Sequence, residues 1–459
     1  MNTILETADQ VEYEIFLKGL SEETIIGISK DLQEPEWMLD FRLQAFKIFQ
    51  KSEIPSYGPD LSSLDFENLV YYAKPKKGFQ GSASSREQVP EKIKNIFQKL
   101  NIPEAEKKYL AGVGGQYDST AVYHKLKEKR IKSWIIFEDM ADALREYPDL
   151  VKKYFMQLVP PTDHKFAALH GAVWSGGTFV YIPKGVKLSD PLQSYFRMNT
   201  YEWGQFEHTL IVLEDEAEGA YIEWCSAPKF DKRSLHAWCV EVFVGKNAKM
   251  RYSSVENRSL NTFNLNTKRA LVEERGVMER IWGNLWSGAT MLYPCSILKG
   301  DYAKSDNISV VVASKDQNQD VGAKVFHLGN YTSSNIVSKS ISKSGGINTY
   351  RGMVYVSPKA KGVIHSTQCD ALLLDGESVS NTIPTFKIES SDATISHEAS
   401  AGNIDENKLF YLQSRGISFE KAKALIVNGF ISDVVKQLPL EYAWELNHLI
   451  SMEMEGSIG

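Results

Sequence analysis

Cysteine is scarce in this sequence, and no motif pairs the few that are present. The 459 residues contain four cysteines, at positions 225, 239, 295 and 369, and no C-x-x-C. So few thiols do not make a disulfide framework, which favours a reduced, cytoplasmic protein. The acidic segment 1–14 has no apolar core, so we expect no secretory signal. No uninterrupted apolar run is long enough to span a bilayer, so we expect no membrane partner.

The motifs of common catalytic and nucleotide-binding sites are also absent. Gly245-Lys246 is followed by Asn247 and lacks the earlier glycine of a phosphate-binding loop, and residues 112–115 do not complete G-x-G-x-x-G. H-E-x-x-H and G-x-S-x-G do not occur, which excludes a zincin and a nucleophile-elbow hydrolase. A net charge of −6, with both signs interspersed, argues against a nucleic-acid partner.

The sequence that is present changes its pattern twice, and its length predicts two or three structural units. Pro35 is followed by Met38, Phe41, Ala45 and Phe49 at helical spacing, which predicts an amphipathic helix. Helical patterns return at 91–100 and 137–158. After residue 403 a further helix is expected to end at Pro439, and another covers 440–450. Such apolar faces are most often core, and a docking surface is the alternative.

Short β-type runs fill the middle of the chain. They lie at 178–182, 209–213, 237–244, 308–312, 336–341, 352–356 and 394–397. Long helices do not interleave with them, which argues against a doubly wound α/β fold and leaves a sandwich, a barrel or a β-solenoid. No crisp short repeat is visible, so any solenoid has irregular turns. We predict an N-terminal helical region at 1–130, a β core with a short helical entry segment at 131–397 and a C-terminal helical domain at 398–459.

One cysteine is followed by two further residues that can ligate iron. Cys369 lies in Thr-Gln-Cys-Asp at 367–370, and His397 and Glu398 follow it in Ser-His-Glu-Ala at 396–399. One thiol, one imidazole and one carboxylate are too few for a cluster of the usual four-thiolate kind. This set indicates a transient site, or one completed by another molecule. A buried structural cysteine is the alternative.

Cys225 is the second thiol of interest, and it lies in Tyr-Ile-Glu-Trp-Cys-Ser-Ala-Pro. Basic side chains such as Arg197 and Lys268 would lower the pKa of its thiol if they lay beside it. A buried structural cysteine is equally compatible with the sequence. For Cys239 and Cys295, which lie in plain strand patterns, we favour packing.

Nine blocks in order carry a resemblance to a known family. They lie at 34–39, 195–200, 204–207, 221–228, 267–270, 348–352, 367–370, 415–418 and 426–430. With these blocks, nearly the whole chain resembles the SufB/SufD family of iron–sulfur cluster assembly proteins. Tyr-Ile-Glu-x-Cys at 221–225 and Thr-Gln-Cys-Asp at 367–370 favour the SufB branch over the SufD branch.

The resemblance implies a fold, a function and partners. The expected fold is mainly β, a right-handed parallel β-helix flanked by N-terminal and C-terminal helical regions. The expected function is that of a scaffold, not an enzyme, on which a nascent 2Fe–2S or 4Fe–4S cluster is built and then passed to apo-proteins or carriers. Partners would be SufD in a heterodimer, the ATPase SufC, and the desulfurase SufS with SufE or SufU. A homodimer of the isolated chain and a role for reduced flavin stay open.

The resemblance also implies roles for particular residues. Cys225 corresponds to the sulfur acceptor, and Cys369 to the cysteine on which the cluster is built near SufD. The path between them would include the matching residues Arg197, Asn199 and Lys268, and also Glu256, which stands at a path position. Glu398 matches a cluster ligand, with His397 beside it.

Two positions depart from the family pattern along that path. This chain has Val255-Glu256-Asn257-Arg258 where the family has Val-Gln-Asn-Trp, so charge replaces an amide and an indole. Ser396 also stands where a glutamate often precedes the His-Glu pair. The chemistry of the path is therefore less firmly indicated than the cluster site.

The spacing of a β-helix tests this interpretation. If each turn takes about 20 residues or a few more, Cys369 and Glu398 would lie on neighbouring turns and face one iron. Cys225 and Cys369 would lie on the order of six turns apart, or roughly 25–35 Å, which forbids a direct disulfide. Two other functions compete: a polysaccharide-cleaving enzyme using the Asp405-Glu406 pair, and a purely structural, SufD-like subunit that would not need Cys369.

Overall fold

Two long, mostly parallel sheets form the body of the chain and enclose its core between them. The structure is a computed structural model that describes residues 13–75, 112–117, 120–126, 134–197, 204–226, 233–436 and 450. The strands wind into a parallel β-solenoid of about seven turns. The fold class expected from the sequence, mainly β with a β-helix between helical ends, is therefore confirmed.

The strands are listed here in chain order. They are β1 Tyr13–Lys18, β2 Val70–Pro75, β3 Gly112–Tyr117, β4 Thr120–Leu126, β5 Ile136–Asp139, β6 Gly177–Ile182, β7 Leu192–Arg197, β8 Gly204–Gln205, β9 His208–Leu213, β10 Glu218–Ser226, β11 Ser234–His236, β12 Cys239–Val244, β13 Lys249–Asn257, β14 Thr262–Val272, β15 Val277–Leu285, β16 Ala289–Leu292, β17 Cys295–Leu298, β18 Lys304–Ala313, β19 Asn318–Val321, β20 Lys324–His327, β21 Ser333–Ser342, β22 Ile347–Val356, β23 Val363–Leu373, β24 Val379–Ile388 and β25 Ala393–Asn403.

The two sheets have a simple order. The first runs β25-β23-β21-β18-β15-β13-β10-β7-β3-β4, and the second runs β16-β19-β22-β20-β17-β14-β12-β9-β6-β5. Strand β24 extends the second sheet by pairing with β22, β11 pairs with β14, and β8 pairs with β11. Only the pairs β1–β2, β3–β4 and β5–β6 are antiparallel within the described residues.

The register of the first sheet gives the length of one turn of the solenoid. Glu218, Lys249, Val277, Lys304 and Ser333 are partners on successive strands of this sheet. These partners are 27–31 residues apart along the chain, so each turn is longer than the length of about 20 residues or a few more that was assumed from the sequence. Cys225 and Cys369 therefore lie on strands separated by five steps, not six.

A tight turn joins the two sheets at each level and repeats along the solenoid. Non-glycine residues with a φ between 53° and 62° occupy one position of the turn, and the backbone N–H of each donates to a carbonyl of the next turn at 2.6–2.9 Å. The left-handed conformation is costly for residues with a Cβ, so these stacked hydrogen bonds hold it in place. These residues are Glu216, Asn247, Arg275, Tyr302 and Tyr331.

Helices cover the N-terminal part of the solenoid and extend from its other end. They are α1 Glu22–Leu32, α2 Glu36–Lys51, α3 Met140–Glu146, α4 Pro148–Tyr154, α5 Lys165–Val173, α6 Glu406–Ser414 and α7 Phe419–Val435. The buried Arg42 of α2 donates to the carbonyls of Ala172 and Trp174 and pairs with Glu34, which ties α2 to the end of α5. None of the described helices is both long and apolar enough to cross a membrane.

The predicted elements agree with the structure in most places. The helix expected from Pro35 is α2, and each of the seven predicted β runs overlaps a strand. The pattern at 137–158 is a strand, β5, followed by α3 and α4. The helix expected at 91–100 lies outside the described residues, and so does the one expected at 440–450, apart from residue 450 itself. The domain boundaries stay predictions; β3 and β4 precede the first of them, and β25 runs across the second.

Candidate functional site: two thiols inside the solenoid

Cys225 and Cys369 face the same enclosed interior from the first sheet. Both are buried and belong to one hydrophobic cluster, with inward-facing residues of the second sheet such as Val240 and Tyr350. Successive partners lead from Cys225 to Ala371, which is two residues beyond Cys369 on β23. Five steps of about 4.8 Å separate the two strands by roughly 24 Å, so the thiols cannot form a disulfide.

A single row of inward-facing side chains crosses the interior between the two cysteines. It begins two residues before Cys225 and ends at Cys369, and every member is buried. Four members of the row are a carboxyl or hydroxyls, so the interior is polar as well as apolar. The row consists of Glu223, Ser254, Trp282, Ser309, Ser338 and Cys369.

A buried ion pair stands beside the start of this row. Lys268 of β14 donates to Oε1 of Glu256 at 2.7 Å and to Oγ of Ser254 at 3.0 Å, and it lies 4.2 Å from the ring of Trp238. The second oxygen of Glu256 accepts from the side-chain amides of Asn264 and Asn266 at 2.7 and 2.8 Å. Glu256 is also the partner of Cys225 in the sheet. The pair thus bridges the two sheets next to the thiol.

Glu223 is the first member of the row and supplies its carboxyl group. It accepts from the hydroxyls of Thr209 at 2.5 Å, of Tyr221 at 2.9 Å and of Tyr252. Burial raises the pKa of Glu223 to about 7, although the charge of Lys268 and the three hydroxyls oppose this rise. A group with such a pKa exchanges a proton near neutrality.

A cation other than Lys268 acts on the Cys225 thiol. Burial raises the pKa of the Cys225 thiol well above its ordinary value, and the carboxyls of Glu207 and Glu256 raise it further. The cation that opposes them is Arg258, not Lys268. Lys268, one of the two cations named as candidates from the sequence, is instead paired with Glu256.

Arg258 is held in place by polar side chains of the interior. Its guanidinium donates to Oε1 of Gln205 and to Nε2 of His236, both at 2.8 Å. His236 therefore carries its proton on Nδ1, which donates to Oδ1 of Asn264 at 2.7 Å. The arginine that replaces the family's tryptophan thus takes part in a network of its own.

Cys369 lies in a less polar setting, near the far end of the solenoid. The hydroxyl of Tyr350 donates to its sulfur, and Asp370 follows it in the chain. Burial and the charge of Asp370 raise the pKa of the Cys369 thiol to about 12, while Tyr350 opposes them. The thiol is thus protonated at neutral pH until a metal displaces the proton.

The structure brings His397 to the face of Cys369 and places Glu398 on the other face. His397 is the partner of the buried Thr367, and Glu398 is the partner of the exposed Gln368. Side chains alternate along a strand, so Cys369, Thr367 and His397 point inward, whereas Glu398 points outward. The Nε2 atom of His397 is buried and has no hydrogen-bond partner among the described residues.

The last turn of the solenoid leaves its strands uncovered. Among the described strands, β24 pairs only with β22, and β25 pairs only with β23. Apolar side chains of β24 are 38–43% exposed: Val379, Ile383, Phe386 and Ile388. An exposed apolar edge strand is a template for another chain, and proteins normally cover it. Cys369 lies one strand inside this edge.

Sequence reasoning found the two thiols but missed the polar row between them. Glu223 lies two residues before Cys225 and therefore on the same face of the strand, and this spacing could have identified it as an interior residue. No sequence signal identifies Ser254, Ser309 and Ser338, because their position in one row across the strands depends on the length of each turn. Asn199 and the side chain of Arg197 lie outside the described residues, so their predicted roles on the path stay predictions.

The fold and the interior thiols together define a thiol-bearing β-solenoid, and comparisons with known proteins give its family. The model of the SUF system FeS cluster assembly SufBD core domain matches residues 196–430, and that of the SufBD protein N-terminal region matches residues 28–194. The chain therefore belongs to the SufB/SufD family of iron–sulfur cluster assembly proteins, as the sequence blocks predicted.

Individual relatives agree with this assignment over nearly the whole chain. The iron–sulfur cluster assembly protein SufB of Bacillus subtilis is 49% identical over 442 residues, which cover 96% of this chain and 94% of the relative. SufBD family proteins of Staphylococcus haemolyticus and Staphylococcus epidermidis are 51% and 50% identical over the same share of each chain. A role in iron–sulfur cluster assembly follows from this membership.

Proposed function

We propose that this chain is a scaffold subunit that accepts sulfur at Cys225 and builds a nascent iron–sulfur cluster at Cys369. The observation that carries the proposal is the buried row from Glu223 to Cys369, which links the neighbourhoods of the two thiols inside the solenoid. Iron and sulfide are the cargo of this site, and the cluster is of the 2Fe–2S or 4Fe–4S type.

Sulfur transfer to Cys225 is a thiol exchange. The Cys225 thiolate attacks the outer sulfur of a persulfide on SufE or SufU, which SufS has loaded. The bond to the carrier sulfur breaks, and the carrier thiolate leaves. Because the Cys225 thiol is buried and has a raised pKa, it needs a base, and Glu223 and Glu256 lie closest along the sheet.

Release of the sulfur as sulfide takes two electrons, for which reduced flavin is a suitable donor. The persulfide gains two electrons and two protons and yields the Cys225 thiol and hydrogen sulfide. Hydrogen sulfide is small, and Ser254, Ser309 and Ser338 offer it hydrogen-bond partners along the row. This route avoids water, which favours delivery to Cys369 over loss to solvent.

A second chain is expected to complete the cluster site at the open end. Cys369 and the inward-facing His397 supply two ligands, and a cluster needs more. SufD, which shares the fold, would pair with the edges of β24 and β25 and cover their apolar side chains. Glu398 would join the ligand set only if this docking turned the edge strand β25. In the isolated chain a second copy would occupy the same edge as a homodimer.

No phosphate-binding loop occurs in this chain, so ATP would act through the partner SufC. The C-terminal helices are expected to dock SufC, because of their amphipathic sequence pattern and the resemblance to the family. Large apolar side chains on α6 and α7 are exposed: Phe410 at 73%, Tyr411 at 57%, Phe419 at 47% and Leu425 at 46%. Lys339 of β21 lies 4.7 Å from the ring of Phe430, which connects α7 to the strand next to Cys369. Movement of SufC would therefore act near the cluster site.

The competing functions have less support. Asp405 caps α6 by accepting from the backbone N–H groups of Asn407 and Lys408, which accounts for the Asp405-Glu406 pair without glycan cleavage. A purely structural subunit gives no reason for a buried polar row that ends at a thiol.

Two routes of sulfur supply test the proposal. Cluster formation would be followed anaerobically by visible absorption, first with desulfurase, carrier and cysteine, and then with free sulfide. Cys225→Ser should lose the first route and keep the second, whereas Cys369→Ser should lose both. Cys295→Ser, a change at another buried thiol, should keep both. Equal loss of the two routes in Cys225→Ser would contradict its role as acceptor, and normal yield in Cys369→Ser would contradict the cluster site.

A further inference from the structure

Two histidines and a cysteine converge on the outer face of the second sheet, away from the inward-facing thiols. His170 comes from α5, and His208 and Cys239 are the first residues of β9 and β12, where they are partners in the sheet. One ligand atom of each lies within 4.8 Å of the others. All three residues are buried beneath the N-terminal helices, with 2% exposure or less.

The polar atoms of this group form a chain of close contacts. Nδ1 of His170 lies 2.9 Å from the carbonyl oxygen of Ala237, and its Nε2 lies 3.0 Å from Nδ1 of His208. Nε2 of His208 lies 3.2 Å from Oε2 of Glu241 but makes no hydrogen bond within the described part of the chain. The Glu241 carboxylate itself is held by the backbone N–H groups of three residues: Met156, Leu158 and Val159.

Two neutral imidazoles cannot supply all the hydrogen bonds that this series of contacts requires. A carbonyl stands at one end and a carboxylate at the other, and both only accept. If His170 donates to Ala237 and His208 donates to Glu241, then the lone pairs of His170 Nε2 and His208 Nδ1 face each other at 3.0 Å. Any other tautomer sets a lone pair against the carbonyl or the carboxylate. One further positive charge is needed, either a proton that makes His208 an imidazolium or a metal ion between the two rings.

We propose that this charge is supplied by a zinc ion bound by Nε2 of His170, Nδ1 of His208 and the thiolate of Cys239. In this arrangement the remaining N–H of His170 donates to the backbone carbonyl of Ala237, and the remaining N–H of His208 faces the Glu241 carboxylate at 3.2 Å. Such partners are the usual supports of metal-bound histidines, because they fix the tautomer and the orientation of the ring. The two histidines and the thiolate are the ligand types that zinc prefers.

Distance and charge both suit this ion. Nitrogens at about 2.0–2.1 Å from a tetrahedral zinc ion lie about 3.3 Å apart, close to the observed 3.0 Å. The Cys239 sulfur, which lies within 4.8 Å of one ring nitrogen of each histidine, needs to approach to about 3.6 Å from them. The two positive charges of zinc balance the thiolate and Glu241, so the buried site is neutral.

The site would fasten the helical layer to the solenoid. His170 belongs to α5, and Glu241 binds the backbone that leads from α4 toward α5, whereas His208 and Cys239 belong to adjacent strands. A zinc ion held by residues of both layers stabilises the folded state directly. This site is independent of the proposed cluster site, so failure of one leaves the other untouched.

Metal analysis of the full chain, purified without added iron or sulfide and dialysed against a mild chelator, tests the proposal. About one zinc per chain should remain in the wild type and in Cys295→Ser, and less than about a tenth in Cys239→Ser and in His208→Ala. Equal zinc in all four proteins, or none in the wild type, would overturn it.

Cobalt(II) gives a second readout that identifies the ligand. In a variant with Cys225, Cys295 and Cys369 all changed to serine, Cys239 is the only thiol left. Cobalt should then give a thiolate charge-transfer band, which a further Cys239→Ser change abolishes. If variants fold poorly, the wild type still decides the matter: a strong chelator should lower its Tm by about 3–5 °C, and zinc should restore it. A band without Cys239, or a Tm that never responds, would contradict the site.

Discussion

His397 lies on the strand next to Cys369, on the same inward face, and is displaced from it by two residues. Glu398 follows His397 directly but points outward. Alternation along β25 therefore separates two residues that the sequence grouped as one ligand set.

This separation predicts that the two residues act under different conditions. His397→Ala should lower the cluster yield about tenfold both in the isolated chain and in the complex with SufD, because it removes an inward ligand. Glu398→Gln should leave the isolated chain unchanged and lower the yield only in the complex, where docking can turn β25. Iron bound per chain after anaerobic reconstitution measures both. An equal loss for Glu398→Gln in the isolated chain would show that this carboxylate reaches the metal without a partner.

The buried pair of Lys268 and Glu256 makes a prediction about stability. Lys268→Met should lower the free energy of unfolding by about 3–5 kcal/mol, because it leaves a buried carboxylate without its cation. The double variant Lys268→Met/Glu256→Gln should recover most of this loss, since both charges are gone. Thermal or denaturant unfolding measures the difference. A double variant as unstable as the single one would mean that packing, not charge, explains the loss.

The thiol of Cys369 should react slowly at neutral pH. Its pKa is raised to about 12, so the thiolate fraction, and with it the alkylation rate, should grow about tenfold per pH unit from pH 8 upward. Tyr350→Phe removes the hydroxyl that favours the thiolate and should slow the reaction further. Mass spectrometry of iodoacetamide adducts follows this cysteine separately. A rate that levels off near pH 9 would indicate an ordinary thiol pKa.

Loss of the C-terminal helices should abolish SufC binding. Truncation after Asn403 removes α6 and α7, and Phe410→Ser removes the most exposed of their large side chains without deleting a helix. Both should prevent co-purification with SufC, whereas Phe16→Ser, at an exposed phenylalanine on β1, should not. SufC retained by the truncated chain would place its docking site elsewhere.

The sequence predicts local elements of the structure well, but it does not predict features that depend on residues far apart in the chain. Strand runs such as 209–213 and the α2 stripe are local patterns, and the structure contains both. The solenoid repeat was not visible in the sequence, because what repeats is a backbone conformation and not a residue type. Glu216, Asn247, Arg275, Tyr302 and Tyr331 occupy the same left-handed position yet belong to four different residue types.

The site shows the same limit. Cys225 and Cys369 were found from their surroundings in the sequence, and their common interior follows from the fold. The charge next to Cys225 could not be predicted, because Lys268 and Arg258 lie close together in the sequence and only the turn lengths decide which of them faces the thiol. The outward position of Glu398 depends on the register of β25 against β23, which its distance from Cys369 along the chain does not determine.

ATP should change access to Cys369 if SufC acts on the open end. In the complex with SufD and SufC, Cys369 should be alkylated faster with ATP than without it, because nucleotide-driven approach of the SufC subunits would strain the edge next to β23. Such coupling requires two states with different contacts. Cys295, buried elsewhere, serves as the internal control. Identical rates during measurable ATP turnover would assign SufC another task.

The most direct test is the visible spectrum of the anaerobically reconstituted complex with SufD and SufC, with Cys369 and with Cys369→Ser. The account predicts iron–sulfur absorption in the first complex and its absence in the second, with circular dichroism showing equal folding and Cys295→Ser behaving as the wild type. An undiminished cluster spectrum in the folded Cys369→Ser complex would contradict the account.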